Sequence, residues 1–258
     1  MSHENAGTNG TPLAAMGVAG LDDILGGGLT RDRLYLVEGN PGAGKTTLAL
    51  QFLLYGAGRG EDGVYVTLSE TKSELTAVAA SHGWSLDSIH IIDLVASEAE
   101  LDPDNQFAMF QPSEVELGST TKAILAEIER VKPARVVIDS LSELRLLAQG
   151  SLRYRRQILA LKQYFTGRRC TVMLLDDLTS EASDLHLQSI AHGVISLEQL
   201  APEYGAERRR LRVAKLRGQR YRGGYHDFLI KPGGLQIFPR MVAAEHEGVH
   251  KGGQLKSG

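Results

Sequence analysis

Nine consecutive residues, 39–47, have the composition and spacing of a phosphate-binding loop. The stretch reads GNPGAGKTT, and Gly39, Gly44, Lys45 and Thr46 fit the pattern G-x-x-x-x-G-K-[ST]. Glycines let backbone N–H groups turn inward around phosphate oxygens, and a helix N-terminus behind them adds partial positive charge. Lys45 would reach the β- and γ-phosphates of a nucleoside triphosphate, and the Thr46 hydroxyl would bind Mg²⁺.

The whole loop is predicted to contact the nucleotide, through backbone or side-chain groups. Its members are Gly39, Asn40, Pro41, Gly42, Ala43, Gly44, Lys45, Thr46 and Thr47. A match by chance to a Gly-rich turn is disfavoured by the flanking residues, because the apolar run RLYLVE leads in and TTLALQFLLY leads out. This is the strand, loop and helix order that the motif requires.

Asp139 ends the apolar run ARVVID and is a candidate for the acid on the Mg²⁺ side of the site. The alternative is a helix N-cap, a common role for Asp after a strand.

Glu70 ends a second apolar run, VYVTLSE. Because parallel strands deliver their carboxyl ends to one edge of a sheet, we expect Glu70 beside the γ-phosphate, where it can activate water. The alternative is a solvated acid near a helix start, where negative charge is favourable.

The elements that must position these residues alternate along the chain. Strands are predicted at 33–38, 63–69, 89–94, 134–139, 171–176 and 193–198. Helices are predicted at 46–55, 73–82, 119–131 (with Ser119 and Thr120 as caps), 152–165 and 184–192. This alternation predicts an α/β fold with a mostly parallel central sheet flanked by helices.

The sequence pattern of the C-terminal part differs from this alternation of strands and helices. FLIKPGGLQIF holds Pro-Gly-Gly between two alternating runs and predicts a β-hairpin. We expect a disordered lead-in at 1–15, one domain at 16–240 and a polar linker or tail at 241–258.

Composition limits the function classes. The chain has 258 residues, with 28 Lys plus Arg against 31 Asp plus Glu, which argues against a surface built to attract nucleic acid. One cysteine, Cys170, heads the apolar run CTVMLL and has no partner for an internal disulfide, which indicates a reducing compartment. No run approaches the ~18 apolar residues of a membrane span, so we expect a cytoplasmic protein without a membrane partner.

Taken together, these motifs resemble the KaiC-type branch of the RecA-like P-loop ATPases. The resemblance covers roughly residues 17–239 and adds two motifs to those above, GLDDILGGGL and KLRG. It implies a RecA-like fold, ATP and Mg²⁺ as ligands, and a homo-oligomeric ring, typically a hexamer, that regulatory proteins bind. Nucleotide would lie between adjacent subunits, with Lys215 and Arg217 touching the γ-phosphate of the neighbour. Because such chains often carry two domains in tandem, we expect the tail to lead to a second domain.

Two departures from this family leave alternatives open. Members commonly carry two adjacent glutamates where this chain has Ser69 and Glu70, so a nucleotide-responsive assembly module remains an alternative to a hydrolase. Some members phosphorylate their own adjacent Ser and Thr. The nearest match here is Gln188 and Ser189, so a serine/threonine autokinase is a second alternative, with an ordinary helix serine favoured.

The run ERRRLRVAKLRGQRYR, 207–222, has eight Lys or Arg and one acid. It indicates either a nucleic-acid surface of a recombinase-like, DNA-dependent ATPase or a strand whose outward charges line a subunit interface. We favour the interface because Leu211 and Val213 alternate with arginines, as in a half-buried strand. The nearby acidic stretch DDLTSEASD would also repel DNA.

Overall fold

The computed structural model describes residues 12–95, 113–178, 184–201 and 204–241, without the side chains of 113–116 and 184–186. Most of the expected lead-in, and the expected tail beyond residue 241, lie outside this set. Leu13 and Ala14 are described and form a short strand, so ordered structure begins earlier than the predicted boundary at residue 16.

The strands of the described residues are β1 (Leu13–Ala14), β2 (Leu29–Thr30), β3 (Leu34–Gly39), β4 (Gly63–Thr67), β5 (Ile89–Asp93), β6 (Arg135–Asp139), β7 (Thr171–Asp177), β8 (Gly193–Leu200), β9 (Arg208–Leu216), β10 (His226–Lys231) and β11 (Gly234–Phe238). The helices are α1 (Ala19–Ile24), α2 (Lys45–Ala57), α3 (Lys72–Ser81), α4 (Ser113–Val131), α5 (Leu141–Ala148), α6 (Ser151–Phe165) and α7 (Asp184–Ile190).

The main sheet has the strand order β11-β10-β9-β8-β3-β7-β6-β4-β5. Strands β8, β3, β7, β6, β4 and β5 run parallel, whereas β9, β10 and β11 are antiparallel. The predicted mostly parallel sheet and the hairpin β10–β11 are therefore confirmed. The parallel strands β3, β7, β6 and β4 all end at one edge, and the carboxyl ends of parallel strands are where α/β folds bind ligands.

Helices cover both faces of this sheet. One face is buried under α2, through residues such as Leu48 and Phe52, and the other under α4, α5 and α6, through Ile124, Leu144 and Ile158. The central strands are apolar on both faces because both faces are covered, as parallel sheets require.

The predicted strands are all present, each within about two residues of its expected limits. One helix prediction needs correction, and two helices of the described residues, α1 and α5, were not predicted. Helix α4 begins at Ser113, so Ser119 and Thr120 lie within the helix and are not its caps. Helix α5 begins two residues after Asp139, and its eight residues carry too short a periodic pattern to distinguish them from a loop.

A buried ion cluster ties the start of β6 to the N-terminal segment. The Arg135 side chain is 1% exposed, and its Nε donates to Glu61 at 2.5 Å. Its Nη1 donates to the carbonyl oxygens of Ala15 at 2.7 Å and Phe52 at 2.8 Å. Arg31 pairs with the other Glu61 oxygen. One carboxylate thus compensates two guanidinium groups, one of them fully buried.

We expect Glu61→Gln to lower the free energy of unfolding by about 3 kcal/mol, because removing one partner leaves a buried charge uncompensated. Urea denaturation measures this. The matched control is Glu129→Gln, whose carboxylate pairs with Arg168 at 3.4 Å on the surface, and which should change stability far less. Equal losses in the two variants would contradict the structural role of the cluster.

Candidate nucleotide-binding site

The loop between β3 and α2 has the backbone shape of a phosphate cradle. Gly42 and Gly44 adopt φ of 79° and 101°, values in the left-handed region that favours glycine. A Cβ on Gly44 would also lie 2.8 Å from the Ile230 side chain in β10. Gly44 is the N-cap of α2 and has no side chain to occupy the helix N-terminus, so N–H groups there remain available to an anion.

The Lys45 ammonium lies at the base of this loop. It donates to the carbonyl oxygens of Gly39 at 2.8 Å and Asn40 at 3.2 Å. It also pairs with Asp177 Oδ1 at 2.8 Å, across the adjacent ends of β3 and β7. Lys45 is buried, whereas Asp177 is half-buried. The ammonium is therefore held at the loop by polar partners that an arriving phosphate would have to replace.

Asp139 lies at the end of β6 close to the hydroxyl of Thr46. The Thr46 Oγ1 to Asp139 Oδ2 distance is 3.5 Å, and Tyr65 in β4 donates to the same carboxylate oxygen at 2.5 Å. Burial raises the pKa of Asp139 above its ordinary value, against the lowering effects of the Tyr65 hydrogen bond and the Lys45 charge. Asp139 does not act as an N-cap, because the N-cap of α5 is Ser140.

Glu70 follows β4 on a turn that Thr67 organises. The Thr67 hydroxyl donates to the Glu70 carbonyl at 2.5 Å and accepts from the Glu70 N–H at 3.1 Å. Carboxylate oxygen Oε2 of Glu70 is buried and has no hydrogen-bond partner among the described residues. The pKa of Glu70 is raised by burial first and then by the nearby Asp139 and Glu74 carboxylates. This side chain is thus placed to accept a proton.

Lys215 and Arg217 do not lie at this site. Lys215 in β9 pairs with Val194, near the start of β8, and the Arg217 N–H donates to the His192 carbonyl. The start of β8 is at the opposite edge of the sheet from the P-loop. Four residue steps along β3, from Tyr35 to Gly39, separate the two levels by about 13 Å. The structure therefore does not group the two cations with the P-loop of the same subunit.

Two of the β9 arginines are paired with acids of neighbouring strands. Arg208 binds Asp227 at 2.8 Å, and Arg210 binds Glu198 at 2.7 Å. The Arg212 guanidinium lies 5.5 Å from the centre of the Tyr225 ring. Much of the positive charge of this run is neutralised within the chain.

The sequence reasoning overlooked several polar residues around the site. Asp177 was read only as part of an acidic loop, although its position at the end of an apolar run was the same signal that identified Asp139. Glu38, immediately before the P-loop, is 4% exposed, and its carboxylate accepts from Gln188 and Ser196.

Ser189 lies on α7 beside Lys215 and Arg217, away from the P-loop of its own subunit.

A family model described as "ATPase: KaiC" matches residues 14–242. The circadian clock oscillator protein KaiC of Thermosynechococcus vestitus is 32% identical over 230 residues, which are 86% of this chain and 43% of that protein. A UPF0273 protein of Aeropyrum pernix is 29% identical over 236 residues, 88% of this chain and 93% of that protein. The chain thus spans less than half the length of the KaiC relatives it matches.

A solved structure of a KaiC-like protein from Pyrococcus horikoshii superposes with a TM-score of 0.74 at 26% identity, over 89% of this chain and 100% of that one. None of the helices in the described part of the chain is long and apolar enough to cross a membrane. With the P-loop, the sheet order and the family match all in agreement, the chain belongs to the KaiC family and contains a RecA-type ATPase domain.

Proposed function

We propose that this chain binds MgATP and hydrolyses it slowly. It would do so in a homo-oligomeric ring of six subunits, the number that the family resemblance implies, with nucleotide held between neighbouring subunits. The observation that carries the proposal is the Glu70 carboxylate on the same sheet edge as Lys45, because one of its oxygens is buried without a hydrogen-bond partner among the described residues. An unpartnered buried carboxylate oxygen is costly for stability, so its retention in a site indicates a functional role.

In the proposed reaction, Glu70 accepts a proton from a water molecule as the water oxygen attacks the γ-phosphorus. The bond from that phosphorus to the bridging oxygen of ADP breaks, and inorganic phosphate forms. Lys45 leaves Asp177 and neutralises charge on the β- and γ-phosphates. Because this chain has Ser69 and Glu70 where family members commonly carry two adjacent glutamates, we expect ATP hydrolysis to be slow.

The residues around Thr46 fit a magnesium ion. The Thr46 hydroxyl would bind the metal, and Asp139, 3.5 Å from it, would accept hydrogen bonds from metal-bound water. Burial disfavours a charged Asp139, and a cation beside it would offset that cost. Mg²⁺ at nucleotide sites is typically held by one or two protein groups, phosphate oxygens and water. Mg²⁺ would supply neutralisation of phosphate charge.

Lys215 and Arg217 would act on the neighbouring subunit. Their position at the edge opposite the P-loop supports a contact in trans, because a head-to-tail ring joins two different surfaces of each subunit. A cation supplied from a neighbour stabilises charge on the transferred phosphoryl group.

Single-turnover hydrolysis tests the proposal. With the assembled protein in excess over radiolabelled MgATP, we expect bound ATP to convert to ADP and phosphate, and the Glu70→Gln variant to retain ATP unchanged. A protein that changes its mass with MgATP and leaves ATP intact would instead be a nucleotide-responsive assembly module. Transfer of label to the protein would indicate an autokinase.

The pH dependence of kcat/KM should report on Glu70. The carboxylate acts as a base only when ionised, so activity should fall as the pH drops through its raised pKa. Since the Glu74 charge contributes to that raised pKa, Glu74→Gln should move the acidic limb to lower pH. Gln can still accept the hydrogen bond that Thr71 N–H gives to Glu74, which preserves the cap of α3. An unmoved or upward-shifted limb would contradict Glu70 as the base.

We expect single-stranded DNA to leave the ATPase rate unchanged. Arg208 and Arg210 are already paired with Asp227 and Glu198, so binding a phosphate backbone there would require breaking those pairs. ATPase assays with and without oligonucleotide at low salt measure this. Salt-sensitive stimulation would favour the recombinase-like alternative.

A further inference from the structure

The C-terminal end of α7 is held by the two cations proposed to act in trans. Lys215 Nζ donates to the carbonyl oxygens of Gln188 at 2.6 Å, Ser189 at 3.2 Å and Ala191 at 2.8 Å. Arg217 Nη2 donates to the Ser189 oxygen at 3.0 Å. A lysine ammonium has three N–H donors, and here each faces a carbonyl at the end of one helix. Lys215 therefore cannot bind a phosphate fully without releasing some of these carbonyls.

The same helix contacts the strand that leads into the P-loop. Gln188 Nε2 lies 3.1 Å and 2.9 Å from the two carboxylate oxygens of Glu38. Glu38 is buried and immediately precedes Gly39, the first residue of the P-loop. Ser196 in β8 provides a further donor to Glu38, at 2.9 Å. Neither donor side chain is charged, so the buried carboxylate depends on hydrogen bonds for its stabilisation.

We propose that Gln188 is a positioning residue that couples adjacent nucleotide sites, because α7 links the trans cations at its C-terminal carbonyls to Glu38 at the P-loop. This rests on the proposed function, since it requires Lys215 and Arg217 to bind the phosphate of a neighbour. A γ-phosphate in the neighbouring site competes with α7 for both cations. Release leaves helix-end carbonyls without their donors.

Helix α7 can respond to such a release because it is short. Its seven residues, Asp184–Ile190, are too few to form a stable helix alone, so its position depends on tertiary contacts. Lys162 donates to the Ile190 carbonyl at 2.8 Å, so that carbonyl keeps a donor when Lys215 and Arg217 are released, whereas those of Gln188 and Ser189 lose theirs. A shift of Gln188 changes the hydrogen bonding of Glu38, and with it the backbone at the start of the P-loop. Nucleotide binding at one site thereby changes the affinity of the next site.

The test compares Gln188→Met with Ser196→Ala in the assembled ring. Each substitution removes a donor to Glu38, and only Gln188 belongs to α7. Equilibrium binding of a non-hydrolysable ATP analogue gives the Hill coefficient. We expect a wild-type coefficient different from 1, reflecting coupling of about fivefold or more between sites. Gln188→Met should bring it to 1, whereas Ser196→Ala should keep the wild-type value.

A second measurement needs no change at Gln188. The analogue should alter amide hydrogen exchange of α7 in the wild-type ring, and Arg217→Ala should reduce that alteration. A Hill coefficient of 1 in a wild-type ring that binds the analogue would overturn the coupling and leave the proposed function standing. Equal loss of cooperativity in Gln188→Met and Ser196→Ala would also overturn the coupling. A wild-type Hill coefficient in Gln188→Met would do the same. A protein that binds the analogue only as a monomer would overturn the shared site itself.

Discussion

Mixing two inactive variants, Glu70→Gln and Arg217→Ala, should restore ATPase activity. Each variant alone should bind ATP and hydrolyse it poorly, because one lacks the proton acceptor and the other lacks the cation supplied in trans. Loss of a trans arginine costs ~10³-fold or more in rate. In the structure the two residues lie at opposite ends of the parallel strands, so in the proposed ring they would lie at different interfaces of one subunit.

The physical reason for complementation is geometric. Where an Arg217→Ala subunit supplies the P-loop and Glu70, and a Glu70→Gln subunit supplies the arginine, that interface contains every required group. Activity should peak near equal proportions of the two proteins. Native mass spectrometry of differently tagged subunits verifies exchange between rings. If exchange is verified and activity stays at the level of the separate variants, hydrolysis at a shared interface is wrong.

Lys45→Ala should weaken MgATP binding by about 100-fold or more, since each charge-assisted contact to a phosphate contributes about 1.5–3 kcal/mol. The side chain is buried among the Gly39 and Asn40 carbonyls and Asp177, so the substitution removes the ammonium that the P-loop itself holds. If assembly depends on ATP, the variant should also form smaller species. Calorimetric titration and light scattering measure the two effects.

Lys122→Ala is the matched control for Lys45, because it removes an exposed lysine from α4 without touching the P-loop. Its ATP affinity should equal that of the wild type. Urea denaturation of both variants separates lost binding from lost folding, since Lys45→Ala also leaves Asp177 without its ammonium partner. Wild-type affinity in a folded Lys45→Ala protein would refute the assignment of the phosphate site.

The groups proposed to bind nucleotide were readable from sequence to different degrees. The P-loop is a local signal, because the glycines, the lysine and the helix start that form it are consecutive in the chain. Asp139 and Glu70 were identified as strand ends, and their placement on one edge followed from expecting a parallel sheet. The structure adds what surrounds them, including the hydroxyl of Tyr65 on Asp139 and the turn made by Thr67 before Glu70.

The sequence alone determined the features that short-range backbone chemistry controls. Residues adjacent in the chain determine the phosphate loop, the Pro-Gly-Gly hairpin and the strands, whose limits are predicted to within about two residues. Only the tertiary structure decided which strands became neighbours. It placed β7 beside β3, which brought Asp177 to Lys45, and it brought Gln188 to Glu38 across 150 residues of sequence. Strand order is set by the burial of the sheet faces and by pairing between strands that lie far apart in the chain. No short stretch of a single sequence contains a signal for either.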